Sequence, residues 1–204
     1  MEIRNAKTST SILLLTIFSL TIAFNSCIND EDEFYNPKPR GYFRIDLPKH
    51  EYQKFDSVYP YSFQYSKHAI LMPDNSPEAE PYWINILYPD YNATIYISHK
   101  IVKNNLSKYT EDARTFANKH IPKADDLIEL EIYDPKSKVY GKIYHIEGTG
   151  VASTCQFWVT DSIKHFVRGS LYFNQSPNND SLAPVIKYLR DDVLKMMNTF
   201  ESKN

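Results

Sequence analysis

The clearest pattern along the chain is the alternation at residues 93–102, where Ile95, Ile97 and Ile101 share one face with His99 among them. Successive strand side chains point to opposite faces, so this segment predicts a strand. Shorter runs rich in Tyr, Ile, Val and Phe predict further strands at 42–46, 59–65, 82–88, 127–133, 138–147, 151–159 and 163–173. Asp134-Pro135 ahead of Lys136, Ser137 and Lys138 reads as a hairpin turn. For the last hairpin, a three-residue loop of Thr160, Asp161 and Ser162 would pair Val159 with Ile163. That register gathers Val151, Ser153, Cys155, Phe157 and Val159 on one face with Ile163, His165, Val167, Gly169 and Leu171. A two-residue loop would scatter the same apolar residues over both faces. The opposite face carries Gln156, Trp158, Phe166, Arg168 and Tyr172, too aromatic for simple solvation, so the sheet is expected to be covered on both sides, at least in part.

Two segments change to helical spacing. Leu106, Tyr109, Ala113, Phe116, Ala117 and His120 recur at three and four, predicting a helix from Asn105, a suitable N-cap, to Ile121 before Pro122. Toward the end, Ile186, Leu189, Val193, Met196, Met197 and Phe200 form an apolar stripe, with Ser181 as the expected cap and Pro184 in the first turn. Together these elements predict an α+β fold, a mostly antiparallel sheet flanked by helices, forming one globular domain over 41–204.

The N-terminal stretch follows a different logic. Arg4 and Lys7 precede an uncharged run at 12–24 (ILLLTIFSLTIAF), followed by Asn25, Ser26 and Cys27. At 1.5 Å per residue such a run reaches only about 20 Å, short of a hydrocarbon core of roughly 30 Å. It therefore reads as the h-region of a secretory signal at 1–26, not a spanning helix. A cysteine directly after the run, preceded by a small residue, resembles a bacterial lipoprotein signal, although Phe24 stands where such signals often carry Leu. The resemblance implies cleavage between Ser26 and Cys27 and acylation of Cys27, with chains such as palmitate holding the protein at a membrane. One acyl chain binds only marginally, and two or more anchor stably. Residues 27–40 read as a tether, acidic at 30–33 and carrying Pro37 and Pro39. The acidic run is either a solvated spacer or, by resemblance to exported Bacteroidetes lipoproteins, a surface-export signal.

Composition narrows the function. The 204 residues hold 16 Tyr, 11 Phe and 2 Trp, enough for a sizeable core, and only 5 Gly. Lys and Arg total 23 against 25 Asp and Glu, so no phosphate-neutralising surface is expected and no nucleic-acid partner. Two cysteines make no disulfide framework. The chain lacks a nucleophile elbow, a P-loop and a zincin helix, and its six histidines show no paired ligand spacing. Neither a metal nor a cofactor is expected. His99 and His165, on apolar strand faces, read as hydrogen-bonded core residues, and Cys155 as a buried inert thiol. Trp158, Phe166 and Arg168 form either core beneath a helix or, if that face is open, an interaction surface. Trp83 and the tyrosines of 82–91 pose the same choice, with sugar stacking as a further option. Arg40 and Arg44 are candidate polar contacts for a partner. Three Asp-Ser-apolar triplets, starting at Asp56, Asp161 and Asp180, resemble O-glycosylation sites of exported Bacteroidetes proteins.

Two stretches carry a wider resemblance: 37–48 (PKPRGYFRIDLP), and 161–173, from Asp161-Ser162 through Lys164, His165, Phe166, Val167 and Arg168 to Phe173. Both resemble the gliding motility lipoprotein GldD family of Bacteroidetes. The resemblance implies a non-enzymatic envelope lipoprotein needed for gliding on surfaces, in the outer membrane by preference. It also implies coupling to the type IX secretion system, with other gliding lipoproteins as partners and no small-molecule substrate. Only Cys27 carries over as a functional residue. The predicted fold also looks like the Mog1/PsbP-type α/β/α sandwich. Two other readings compete. One is a surface glycan-binding lipoprotein using Trp83, Tyr88, Tyr91 or Trp158. The other is a hydrolase assembled from distant strands, such as His145 with Glu147 or Asp161.

Overall fold

The computed structural model describes residues 44–203. The expected signal, the tether, Ser26, Cys27 and Arg40 therefore lie outside the described residues.

Seven antiparallel strands form the main sheet in the order β3-β4-β5-β9-β8-β7-β6. They are β3 (Ile70–Pro73), β4 (Ile84–Tyr88), β5 (Ala93–Ile101), β6 (Asp126–Asp134), β7 (Val139–Glu147), β8 (Ser153–Thr160) and β9 (His165–Phe173). A smaller sheet of β1 (Tyr52–Phe55), β2 (Tyr61–Ser66) and β10 (Glu201–Ser202) has β2 in its centre. Helix α1 (Leu106–Asn118) connects β5 to β6 at the far edge, and α2 (Asn179–Asn198) follows β9. The α+β class, the antiparallel sheet and both helices are as the sequence pattern predicts.

Both faces of the main sheet are covered. On one, Leu189, Val193 and Met197 of α2 pack with Ile95, Ile143, Phe157, Val159, Val167 and Leu171, and Tyr61 and Phe63 of β2 join them. On the other, Ala117 of α1 packs with Tyr144, Ile146 and Val151, flanked by Leu127 and Trp158. Seven apolar residues of α2, from Val185 to Met197, are buried. At about 1.5–3 kcal/mol each, they give the helix a gross contribution above roughly 10 kcal/mol, comparable to a whole domain's net stability.

Four expectations need correction. Residues 44–46 form no ladder; Ile45 and Leu47 turn onto the core while Arg44 and Asp46 face water and pair with each other. The alternation there is that of a strand, but no neighbouring strand pairs with it. The β8–β9 hairpin pairs Thr160 with Phe166 and Val159 with Val167, so its loop is 161–164 and not 160–162. Asp161 sets this loop: its Oδ1 accepts from the amides of Ile163 (3.0 Å), Lys164 (2.8 Å) and His165 (2.9 Å). Ser162 takes a left-handed φ of 67° within it. The pairing partner moves by an even number of residues, so the expected faces survive from Cys155 to Val159 while Ile163 is released to solvent. A bulge between Ser153 and Cys155 sets Ser153 opposite Tyr172, and Val151 packs on the α1 side instead. Helix α1 ends at Asn118, earlier than expected, and a 3-10 turn at Ile121–Lys123 follows. Its Asn105 side chain accepts from the Lys103 amide (2.8 Å) and leaves the helix uncapped by a side chain.

Helix α2 begins at Asn179, two residues before the expected cap, so Pro184 falls inside it. Asn179 explains the early start: its Nδ2 donates to the carbonyls of Gly148 (2.7 Å) and Val151 (2.9 Å), fastening the first turn to the β7–β8 connection. Gly169 is required by close approach, because a Cβ there would overlap the Phe157 ring directly across the ladder.

Candidate functional site: an aspartate hub beneath the N-terminal segment

The most concentrated polar chemistry in the fold converges on Asp192 of α2. This residue is only 2% exposed, although it lies on the helix's apolar side between Leu189 and Met196. An unpaired carboxylate there would be prohibitively desolvated, so each oxygen needs a partner. Oδ1 bonds His50 Nδ1 at 2.7 Å, and Oδ2 accepts from the Tyr88 hydroxyl at 3.0 Å. The Tyr52 hydroxyl lies near enough for the Asp192 charge to act on it. Burial first, and the Asp192 charge second, push both the Tyr52 and the Tyr88 hydroxyls above the usual phenol range. Both phenols therefore stay protonated, and Tyr88 donates to the carboxylate.

Aromatic rings close over the hub. The His50 imidazole stacks on Tyr188 with centroids 4.1 Å apart and planes 13° from parallel. Tyr91 meets Tyr188 edge-on at 5.9 Å, and Tyr52 lies 5.9 Å from His50 on the other side. One carboxylate thus ties the 44–50 segment, β4 and α2 together, and β1 joins them through the Tyr52–His50 ring contact. Beside it lies an open cleft of about 800 Å³, lined by residues 45–48, His68, Tyr91 and Val185 among others. Chemically the hub is a clamp: His50 and Tyr88 are spent on holding a carboxylate.

A second buried pair lies at the other end of β5. His99 Nε2 and His165 Nδ1 are 3.0 Å apart, and both residues are buried. Burial, and then the neighbouring His165, lower His99 to about 4. These are the hydrogen-bonded core histidines that the strand pattern predicts. Cys155 is fully buried, and burial pushes its thiol up to about 12, far from a reactive thiolate.

The residues expected as an interaction surface divide. Trp158, Phe166 and Arg168 are brought together, but under α1 and not in the open. Trp158 stacks on Phe166 at 5.8 Å, Tyr109 of α1 covers Phe166 at 5.5 Å, and the Arg168 guanidinium lies 4.5 Å over Phe116. Arg168 Nη2 also donates to Gln156 Oε1 at 2.8 Å. The apolar stripe of α1 needs a face to bury, and this is the one it takes. Arg44 remains 90% exposed and, among the described residues, pairs with Asp46.

Two of the aromatic candidates for sugar stacking are also committed, while Tyr91 lines the cleft. Tyr88 is buried at the hub, and Trp83 donates its Nε1 to the His99 carbonyl at 3.1 Å. The acids of the hydrolase reading are engaged elsewhere. Glu147 is held by Arg190 at 2.6 Å, and Asp161 is the acceptor of its own turn. Burial, and then Arg190, lower His145 to about 4. Among the described residues, no cluster of three or more His, Cys, Asp or Glu could hold a metal. None of the described helices is long and apolar enough to cross a membrane. Sequence reasoning missed Asp192 and His50. The available signal was an acid at a core position of the α2 stripe.

Comparison with known proteins sets this domain in context. The sequence profile of the gliding motility lipoprotein GldD family matches residues 32–202. The chain belongs to that family. Every element from β1 to β10 falls within the GldD match, and so do His50, Asp192 and the covered Trp158 face. The solution structure of cyanobacterial PsbP (CyanoP) from Synechocystis sp. PCC 6803 is similar at 15% identity and a TM-score of 0.47, covering 78% of this chain and 97% of that one. The comparison with curated proteins returned no match.

Proposed function

We propose that this GldD-family chain is a lipid-anchored scaffold or assembly component of the gliding machinery, coupled to the type IX secretion apparatus and catalysing no reaction of its own. The observation that carries the reading is the family match, which spans the whole described fold. Acyl chains on Cys27 would hold the protein at the cell envelope, in the outer membrane by preference, with other gliding and secretion proteins as partners. The hub supports a mechanical role. A protein held by its N-terminal end passes any load into the domain through the chain that leads into it, of which residues 44–50 are the first described. Here that segment is fastened by His50 to a buried carboxylate and by Ile45 and Leu47 to the core.

Gene deletion tests the reading. Colony spreading and type IX cargo secretion should both fall, and a Cys27→Ser chain should not restore them although its domain folds. Normal spreading and secretion in the deletion strain would overturn the proposal.

A further inference from the structure

The main sheet ends in two strands that treat their open edges in opposite ways. At one end β3 has four residues and finishes on Pro73, a short edge that cannot extend. At the other end β6 runs for nine residues without a proline, DLIELEIYD, and no described strand pairs with its outer side. An open edge offers a row of backbone donors and acceptors to any extended chain, and natural proteins normally blunt it. Strand β6 keeps it long and also leaves apolar side chains exposed: Ile128 and Leu130 at 41% each and Tyr133 at 76%.

The charge pattern says what fits. Strand β6 carries Asp126, Glu129, Glu131 and Asp134 and no basic residue. Lys142 of β7 is shared between Glu129 (2.7 Å) and Glu131 (3.7 Å), which leaves the Glu131 side chain 79% exposed. The two faces are chemically distinct. Ile128, Leu130 and Ile132 lie opposite His145, Ile143 and Gly141, whereas Glu129 and Glu131 lie opposite Tyr144 and Lys142. A second copy is disfavoured by the same arrangement. Antiparallel self-pairing centred on Leu130 would set Glu129 against Glu131 and Asp126 against Asp134, and like charges directly opposite destabilise a sheet. The acidic run at 30–33 of the chain itself would meet the same repulsion.

We infer that the outer edge of β6 is a docking edge for an extended segment of a partner protein, one with apolar residues on one face and Lys or Arg on the other. The added strand sets its basic side chains beside Glu129 and Glu131 and its apolar ones beside Ile128 and Leu130. Backbone hydrogen bonds supply the attachment and the alternating charge supplies the selection. This goes beyond the scaffold reading, and its test in solution can fail while the deletion phenotype stands, or the reverse.

The probe is a fluorescein-labelled nonapeptide alternating Lys and Val. Its controls are a Glu-Val analogue and a charge-matched version with proline at the two central valines. Fluorescence anisotropy on the folded domain should show saturable binding of the Lys-Val peptide, weakened by salt, with at least tenfold weaker binding of both controls. Hydrogen exchange should show new amide protection within 126–134, and the double variant Glu129→Lys/Glu131→Lys should lose at least tenfold in affinity. Because exchange is read on the unmodified chain, poor folding of the variant does not block the test. Equal binding of the proline peptide, protection confined to other segments, no binding at all, or a β6-joined dimer by sedimentation would each overturn the inference.

Discussion

Asp192 occupies a position that the spacing of α2 reserves for an apolar side chain, and two donors from distant parts of the chain make it tolerable there. Replacing it with alanine leaves the Tyr88 hydroxyl and His50 without their acceptor, at a cost of about 3 kcal/mol. Asparagine keeps one acceptor oxygen, and both a tyrosine hydroxyl and a neutral imidazole can accept from its amide. Asp192→Asn should therefore cost only about 1 kcal/mol. Urea denaturation of both variants checks the difference, and equal, near-zero losses would show that the hub holds nothing. The position was legible as an anomaly, an acid on an apolar stripe, but its function was not. His50 lies 142 residues away and Tyr88 104, and no local pattern encodes such meetings. Cys155, His99 and His165 were legible because their environment is their own strand face.

At the scale of elements, long strands and helices followed from their periodicity, whereas β1, β3 and β10 did not. Those three have four residues or fewer and show no alternation, so each exists only because a neighbour offers it an edge. The β8–β9 hairpin shows a subtler case. Apolar patterning determines which residues share a face, and any even shift in register satisfies it equally. The choice among those registers belongs to Asp161, whose carboxylate gathers three loop amides and also accepts from the Ser202 hydroxyl at 2.6 Å. Burial works against its charge, yet these bonds hold its carboxyl below the usual range. Asp161→Ala should cost about 2–3 kcal/mol, since such bonds to a charged acceptor exceed neutral ones. Asp161→Asn, which keeps the acceptor oxygen, should cost less than half of that. Thermal unfolding gives the order, and amide exchange at Ile163, Lys164 and His165 should rise most in the alanine variant. If asparagine proves as damaging as alanine, the turn does not depend on that oxygen.

For the molecule as a whole, the titrating groups define a range of pH in which the fold holds best. His99 is buried neutral, at about 4 against an ordinary 6.5. The unfolded chain therefore takes up a proton that the folded chain refuses, and stability falls as pH drops from 6.5 to 4. His145, also lowered to about 4, acts in the same window and in the same sense. Asp161 and Glu201 lie below their ordinary values, so their contributions are lost further down, as pH falls through the carboxylate range. On the alkaline side, burial raises Tyr61 and Tyr88 well above 10, and the stability tied to their protonated hydroxyls is lost as pH rises past that value. Burial raises the Cys155 thiol in the same sense from an ordinary 9, so the fold should be firmest between about pH 6.5 and 9, the interval bounded by the ordinary histidine and thiol values. A shift of the size seen at His99 corresponds to roughly 3 kcal/mol across its window. Substituting His99→Gln removes this titration while keeping a polar partner for His165. Urea unfolding free energies measured from pH 7.5 to 4 should then decline less steeply in the variant, by about that amount. Parallel curves for the variant and the natural chain would mean that His99 is already free to charge in the folded state.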